Sequence, residues 1–543
     1  MPPSRFPGFL SRLFGAPARR AAADPRRFEA VAHSAAALQV RGEIRAAAAL
    51  ADAAFETGAA TEAGRALFDA ACRAGAGALA HECATRLEAR LAEAPDAELG
   101  AAVANMKKAH HYTLGLISRL EAGSRRAAPA PGRLAYVLQS SLPYIKSGYA
   151  TRGHGLAQGL RARGLDVICV TRPGFPQVVE ALGAPSDAPA ADEVDGVAYL
   201  RTPPAGKPHK PGYLARAADI LETTLAAQRP EWVMAASPYW NALPALIAAR
   251  RLGLPFFYEV RGFWEVTRAS LEPEYKERKI YGERRELEAA VANAADHVFT
   301  LTDAMRRELA DRGVALSGVS LLPNACDGAR FHPSPADPSL RTQWGLPADT
   351  PIIGYVGSFE AYEGLDDLIR AAALVRARGR VFRLLLVGGE NPAAPDSGAL
   401  TRMLDQVAAE EGMADWIVRT GSVPHEQARA FYDLIDIAAL PRKPMPVTEM
   451  VSPLKPLEAM AMEKAILVSS VDALTEMVED GVSGVIFEKG DASDMADKLI
   501  ALIDAPRLRA ALGRNARAWV LRERTWDAVA ERLERRLAAQ AGA

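Results

Sequence analysis

One segment concentrates the side chains that recognise a diphosphate and a ribose. It runs Pro441-Arg-Lys-Pro-Met-Pro-Val-Thr-Glu-Met-Val-Ser-Pro-Leu-Lys-Pro-Leu-Glu-Ala-Met-Ala461, directly after an apolar run ending at Leu440. Arg442, Lys443 and Lys455 supply positive charge. A helix should start near Pro453 or Pro456, because proline suits the first helical turn. Cations beside a helix amino end attract phosphate. Glu458, in the first turns of that helix, can accept two hydrogen bonds from a ribose diol. For Arg442 and Lys443 the alternative is a solvated charged loop. That alternative is poor for Lys455 and Glu458, which sit in an apolar, proline-punctuated turn.

Two further segments carry candidate groups. The first is Ser147-Gly148-Tyr149-Ala150-Thr151-Arg152-Gly153-His154. Gly148 permits close backbone approach to a ligand, and the following helix would aim free N–H groups at it. The segment is neither a Gly-x-Gly-x-x-Gly fingerprint nor a P-loop, and a tight strand-to-helix turn explains it as well. The second is Tyr258-Glu-Val-Arg-Gly-Phe-Trp-Glu265, just past a predicted strand. Arg261 can hold a phosphate or carboxylate through two parallel hydrogen bonds; a local Arg–Glu pair is the alternative.

The elements that must position these groups follow from periodicity. Leu134–Leu138 reads as a strand, Thr151–Arg163 as a helix and Asp166–Val170 as a strand, which is one βαβ unit. Further strands are expected at Val197–Arg201, Trp232–Ala235, Phe256–Val260 and His297–Leu301. The pattern restarts at Ile352–Val356 and continues through Phe382–Val387, Trp416–Arg419, Ile435–Leu440, Ala465–Ser469 and Gly484–Phe487. Near-continuous apolar strands between helices imply parallel sheets covered on both faces. Two such runs imply an α/β chain with two Rossmann-like domains, and a ligand at the carboxyl ends of the strands between them.

The 543 residues suit about three to four domains. With 65 basic and 66 acidic side chains the net charge is -1, which argues against a nucleic-acid binder working through bulk charge. Cys72, Cys83, Cys169 and Cys326 form no Cys-x-x-Cys pair and have no histidine cluster beside them. Reduced, buried thiols are expected, and neither a zinc site nor a disulfide framework. The longest charge-free run, Trp232–Ala249, is broken by Pro238, Asn241 and Pro244, so no membrane span is expected.

The chain's first part has another texture. Residues 21–100 contain 30 alanines, the best helix former. A small all-α domain is expected over 23–123, with a last helix from about Leu99 to Leu120; it serves as a protein-binding surface or as a plain structural extension. Residues 124–132 read as a linker. Residues 1–22 interleave Phe6, Phe9, Leu10, Leu13 and Phe14 with Arg5, Arg12, Arg19 and Arg20. Such a segment can lie on an anionic membrane surface, the alternative being a frayed terminus. A secretory signal needs a longer apolar core and a cleavage site.

From about residue 133 to 540 the chain resembles the retaining glycosyltransferases of family 4, with the two-domain fold called GT-B. Ser147-Gly148 and the next helix are similar to that family's amino-terminal glycine loop. Leu322-Pro-Asn-Ala-Cys-Asp327 with Phe331 resembles its Pro-Asn-Gly-Val-Asp segment, and Gly354-Tyr-Val-Gly-Ser-Phe-Glu-Ala-Tyr-Glu-Gly-Leu365 its donor-domain opening. Leu457-Glu-Ala-Met-Ala461, Ser469-Ser470 and Glu476-Met-Val-Glu-Asp-Gly481 resemble its nucleotide-sugar signature.

The resemblance implies an acceptor domain over 133–325, a donor domain over 326–523 and a return helix over 524–540. It implies donor contacts from Gly148, Gly357, Arg442, Lys455, Glu458, Ser470 and Glu476. It implies catalytic roles for Arg261, Lys455 and Glu449, and an acceptor side at Tyr149, His154 and Glu265. Neither metal nor cofactor is implied; the co-substrate would be a UDP- or GDP-linked sugar, and the acceptor a saccharide or a lipid-linked one. A cytoplasmic enzyme of cell-surface or exopolysaccharide synthesis is expected; the high Ala and Arg content suggests a bacterial source, and residues 1–20 a peripheral contact with the inner face of the membrane. This sequence departs from the family at several positions. Position 450 is Met, and Glu449 is the nearest acid. Glu363 replaces a lysine, Ser358-Phe359 stands where an arginine is expected, and Arg261 replaces a histidine. Pro453-Leu-Lys-Pro-Leu-Glu458 looks like the Pro-x-Lys-x-x-Glu turn of some members, in which Lys455, with Arg442, would take over the diphosphate. The competing readings are a catalytically degenerate scaffold or sugar-binding interaction protein, and a related two-domain epimerase or phosphorylase.

Overall fold

A computed structural model describes residues 60–541, apart from 75, 94–96, 108–109, 122, 125–127, 180–188, 207–211 and 392–396. The basic segment 1–22 and the first part of the Ala-rich region lie outside the described residues.

Among the described residues four helices come first: α1 (Ala60–Arg73), α2 (Gly77–Glu93), α3 (Ala97–Met106) and α4 (His110–Ser118). The single helix expected from about Leu99 to Leu120 is therefore two. Two short helices can both pack on α2, where one straight rod could not. Val103 and Met106 of α3 join the α1–α2 core, and α4 crosses α2 at Gly115. A Cβ there would stand 1.9 Å from the Gly77 carbonyl oxygen, so only glycine permits the crossing. Ile117 with Leu114, Leu116 and Leu120 packs into the core of the first sheet domain.

The first sheet has eight strands: β1 (Arg133–Leu138), β2 (Asp166–Thr171), β3 (Ala191–Val194), β4 (Val197–Leu200), β5 (Trp232–Ala236), β6 (Phe256–Val260), β7 (His297–Thr300) and β8 (Val319–Leu321), in the order β3-β4-β2-β1-β5-β6-β7-β8. All neighbours are parallel except β3 and β4. The second sheet is wholly parallel: β9 (Ile352–Val356), β10 (Arg383–Val387), β11 (Ile417–Gly421), β12 (Ile437–Leu440), β13 (Ala465–Ser469) and β14 (Val485–Phe487), ordered β11-β10-β9-β12-β13-β14. Strand order reverses beside β1 in one sheet and beside β9 in the other, and crevices open at such points.

Every expected strand is present within two residues. Two were not anticipated. β3 is a polar edge strand joined to β4 by Asp195-Gly196, both at positive φ (47° and 77°); that dipeptide is a strong hairpin signal. β8 has three residues, too few for a periodic pattern.

Helices α5 (Gly148–Ala162), α6 (Tyr239–Arg251), α7 (Trp264–Leu271), α8 (Lys279–Ala294) and α9 (Asp303–Asp311) belong to the first domain. In the second, α10 (Leu365–Ala377), α11 (Pro446–Met450) and α12 (Lys455–Ala461) frame the site; α13 (Pro506–Glu523) leads into α14 (Trp526–Ala541). α14 returns to the first domain and packs on α5. A Cβ on Gly155 would lie 2.3 Å from the Trp526 ring, and one on Gly159 2.6 Å from the Trp526 carbonyl oxygen. The glycines of α5 thus serve helix packing, and Val529, Ala530, Leu533 and Leu537 complete the core beneath β1.

Candidate active site

The two domains face each other at α5 and at the turn before α12. A Cβ on Gly148 would lie 3.8 Å from Leu454 Cδ1, and one on Gly262 3.6 Å from Val451 Cγ2. Ser147 caps α5, its hydroxyl accepting from the Ala150 amide at 3.3 Å. The expected convergence of these two segments therefore occurs.

In the second domain Lys455 lies along the β9 turn. Its Nζ is 2.9 Å from Glu363 Oε1 and 5.2 Å from the Tyr355 ring centroid. Gly357, at φ 151°, leaves room for it: a Cβ there would stand 2.1 Å from Lys455 Cε. Glu363 is 2% exposed. Burial raises its pKa, but Lys455 and Arg442 outweigh that and hold it below the usual range. Lys455 retains 17% side-chain exposure, so a ligand can reach it.

Glu458 lies one turn further along α12. Tyr432 donates to its Oε2 at 3.1 Å, and burial pushes its pKa up to about 7, against the pull of Arg330 and Lys455. Its protonation near neutrality thus follows whatever donor or cation comes near. α12 has only seven residues, so its amino end is a weaker anion attractor than expected; the side chains carry the charge.

Several expected site residues have other tasks. Arg442 is 4% exposed and donates to the Val451 carbonyl at 2.7 Å with Glu363 3.5 Å away; it braces the loop. Lys443 pairs with Asp366 at 2.7 Å. Glu449 accepts from the Asp472 amide at 2.9 Å and from Lys489 at 2.8 Å. Ser470 accepts from the Lys489 amide at 3.0 Å. Glu476 reaches across the domains: its two oxygens accept from the Asp303 and Ala304 amides, both at 3.1 Å, capping α9. Arg307–Asp472 at 2.7 Å and Thr302 donating to the Met450 carbonyl at 2.6 Å close the same seam.

In the first domain Arg261 is buried in a network. Its Nε is 2.8 Å from Glu259 Oε2, its Nη1 donates to the Tyr149 carbonyl at 2.9 Å, and it stacks 4.3 Å from the Tyr149 ring centroid. Arg152 approaches the other oxygen of Glu259 at 2.7 Å, and Tyr136 also donates to this carboxylate. Glu259 is fully buried, yet Arg261 and Arg152 overcome burial and hold its pKa down to about 2. The Arg–Glu pairing foreseen as the alternative for Arg261 is the one found, with Tyr149 as its stacking partner. Arg152 also donates to Asn324 Oδ1 at 3.1 Å, and Asn324 donates to the Ser452 carbonyl of the second domain at 2.7 Å.

His154 and Glu265 point into the first domain. His154 is held by Tyr199 at 2.8 Å and Asp195 at 3.1 Å, and burial lowers its pKa despite Asp195. Glu265, 2% exposed, pairs with Arg312 at 2.6 Å. Neither is on an acceptor surface. Sequence reasoning missed Glu259, Arg152, Asn324 and Tyr432. A glutamate inside Phe256-Phe-Tyr-Glu-Val260 was a signal, since buried strands rarely carry an unpaired charge.

Residues 337–519 match the family model described as glycosyl transferases group 1, and residues 147–325 that of the glycosyl transferase 4-like domain. A D-inositol 3-phosphate glycosyltransferase of Acidothermus cellulolyticus is 28% identical over 76% of this chain and 91% of its own length. Its namesake in Kineococcus radiotolerans is 30% identical over 66% of this chain and 83% of its own. A lipopolysaccharide 1,2-N-acetylglucosaminetransferase of Salmonella typhimurium is 28% identical over 41% of this chain and 56% of its own. Among solved structures, sucrose-phosphate synthase of Thermosynechococcus elongatus superposes with TM-score 0.62 at 22% identity, covering 75% of this chain and 99% of that one. Anabaena HepE in complex with UDP and glucose gives TM-score 0.56 at 18% identity, covering 75% and 99%. Their two-domain architecture is the one described above. Among the described residues no helix is long and apolar enough to cross a membrane.

Proposed function

Since this chain belongs to the group 1 glycosyltransferases, family 4, and is a glycosyltransferase of the GT-B fold, we propose that it moves a sugar from a nucleotide-sugar to a saccharide or lipid-linked hydroxyl. The observation that carries this reading is the placement of Lys455 and Glu458, one turn apart on α12 (Lys455–Ala461), opposite Gly148 of α5. A ribose diol donates to Glu458, and Lys455 holds the diphosphate. HepE, whose structures contain UDP and UDP-glucose, supports a UDP-linked donor; GDP remains in the test.

The acceptor oxygen attacks the anomeric carbon as the bond from that carbon to the diphosphate oxygen breaks. The nucleoside diphosphate leaves with the electron pair, and the hydroxyl proton passes to the departing phosphate or to water. Lys455 meets the charge that builds on the leaving group, so the step needs no metal. Attack from the face the diphosphate leaves retains the anomeric configuration. No side chain is assigned as a covalent nucleophile, and the sugar transferred is proposed to be a hexose. Bacterial relatives acting on lipopolysaccharide support a role in cell-surface or exopolysaccharide synthesis, at the inner face of the cytoplasmic membrane.

One observation favours a second reading, a sugar-binding protein without turnover: Glu363 already neutralises Lys455. A panel of UDP- and GDP-sugars with saccharide acceptors, read by product mass, separates the two. Nucleotide release only in the presence of acceptor supports transfer; binding of nucleotide-sugar with no product under any pairing supports the second reading.

A further inference from the structure

An aromatic and cationic group stands on the first domain outside the site just described. Trp240 follows β5 and Trp264 follows β6, so both lie at the carboxyl ends of adjacent strands, on the cleft face of the sheet. Their rings meet edge to face with centroids 5.4 Å apart, and Trp264 is 47% exposed. α7, which carries Trp264, touches the donor domain: Ser270 accepts from the Val447 amide at 3.2 Å.

Tyr275, which shares the Arg284 guanidinium with Trp240, is 1% exposed, and its hydroxyl finds no hydrogen-bond partner among the described residues. Three guanidinium groups surround it. Those of Arg268, Arg278 and Arg284 lie 4.6, 5.7 and 5.9 Å from the Tyr275 ring centroid, and Arg284 is also 5.7 Å from that of Trp240. Arg268 Nε donates to both oxygens of Glu272, at 3.2 and 3.3 Å, and Arg278 lies 3.8 Å from Glu274, both pairs largely exposed. Arg284 shows no ion pair among the described residues, and its buried Nε has no hydrogen-bond partner there. An unpaired guanidinium held between two aromatic rings, beside an orphaned phenol, is poised for an oxyanion. Exposed tryptophan beside it suits the apolar face of a sugar ring.

We propose that this group is the acceptor subsite, and that the acceptor is a sugar carrying a phosphate or carboxylate. Trp264 and Trp240 take the ring face; Arg284, with Arg268 and the Tyr275 hydroxyl, takes the oxyanion. The proposal rests on the transferase reading, which says only that an acceptor is needed on this domain. Trp264 and Arg268 lie four residues apart on α7, so one helix face presents both.

The test is calorimetric titration of the full chain with glucose 1-phosphate, glucuronate, glucose, inorganic phosphate and a short-chain prenyl-diphosphate-linked glucose, together with UDP and GDP as donor-site probes. Wild type should bind an anionic sugar about tenfold or more tighter than glucose, as a charged hydrogen bond supplies. Arg284→Gln should bring the two within about twofold, and Trp264→Ala should weaken every sugar probe, while UDP affinity holds in both variants. Tightest binding by a soluble anionic sugar (glucose 1-phosphate or glucuronate) or by the prenyl-diphosphate-linked glucose supports the site and identifies its source. Anionic sugars no tighter than glucose in wild type, a preference kept in Arg284→Gln, or phosphate alone matching the sugar phosphate overturns it. Failure of wild type to bind either UDP or GDP, with the anionic-sugar preference intact, would instead overturn the transferase reading and leave an anionic-sugar site without an acceptor role.

Discussion

Lys455 Nζ lies 2.9 Å from Glu363 Oε1, so the cation assigned to the diphosphate is already paired in the free protein. The pair is buried at the Glu363 end and reachable at the Lys455 end. A diphosphate must therefore compete with Glu363 for Lys455, or share it. Glu363→Gln removes that competitor and leaves Lys455 and Arg442 without their carboxylate. Losing one partner of a buried pair costs about 3 kcal/mol or more, so the melting temperature should fall. UDP should then restore a larger part of it than in wild type. Calorimetric melting with and without UDP measures both effects.

Glu458 gives a pH dependence with a definite sign. Its folded pKa is raised by burial to about 7, so the folded chain holds a proton that the unfolded chain releases near 4.5. That contribution to stability is present below the unfolded value and is lost as pH rises towards 7. Ribose recognition runs the other way, because the ionised carboxylate is the better acceptor of two hydroxyl donors. UDP affinity should rise from pH 6 to pH 8, by up to about tenfold, and Glu458→Gln should show weak binding with little pH dependence. Titration calorimetry across that range decides it.

Glu259 is the opposite case. Arg261 and Arg152 depress its pKa from 4.5 to about 2, which amounts to about 3 kcal/mol at neutral pH. The stabilisation is complete above the unfolded value and disappears as pH falls through 4.5 towards 2. Glu259→Gln should lower stability by about that amount at pH 7 and flatten acid unfolding between those limits. Denaturant unfolding at several pH values measures it.

Glu476 ties the donor domain to the amino end of α9. Glu476→Ala should free the Asp303 and Ala304 amides, and hydrogen exchange there should accelerate by about tenfold, for the loss of two charged hydrogen bonds. Exchange in β1, far from the seam, should not change.

Most of the fold was legible because parallel strands buried on both faces, such as Ile352–Val356 and Ala465–Ser469, are continuous apolar runs. β3 escaped because an exposed edge strand carries no such run. Within the candidate site, residue type and local spacing singled out Lys455, Glu458 and Gly148, and the family resemblance added Gly357. His154, Glu265 and Glu476 were misplaced for a common reason. Each is paired with a group brought by the fold: Tyr199 and Asp195 from the edge hairpin, Arg312 from the end of α9, and the α9 amides from the other domain. Arg261 differs: its partner Glu259 stands two residues earlier, and that local pair was foreseen. Spacing along the chain cannot show which charges are already satisfied. The family's missing lysine has the same explanation: Glu363 occupies its place in sequence, and Lys455 fills the space beside it from another element.

The central claim is that Lys455 and Glu458 hold a nucleoside diphosphate, and titration of UDP and GDP into wild type, Lys455→Ala and Glu458→Ala tests it most directly. Wild type should bind at least one nucleotide saturably, and each variant about tenfold or more weakly, with all three proteins folded by circular dichroism. Equal affinity in the three proteins would contradict it.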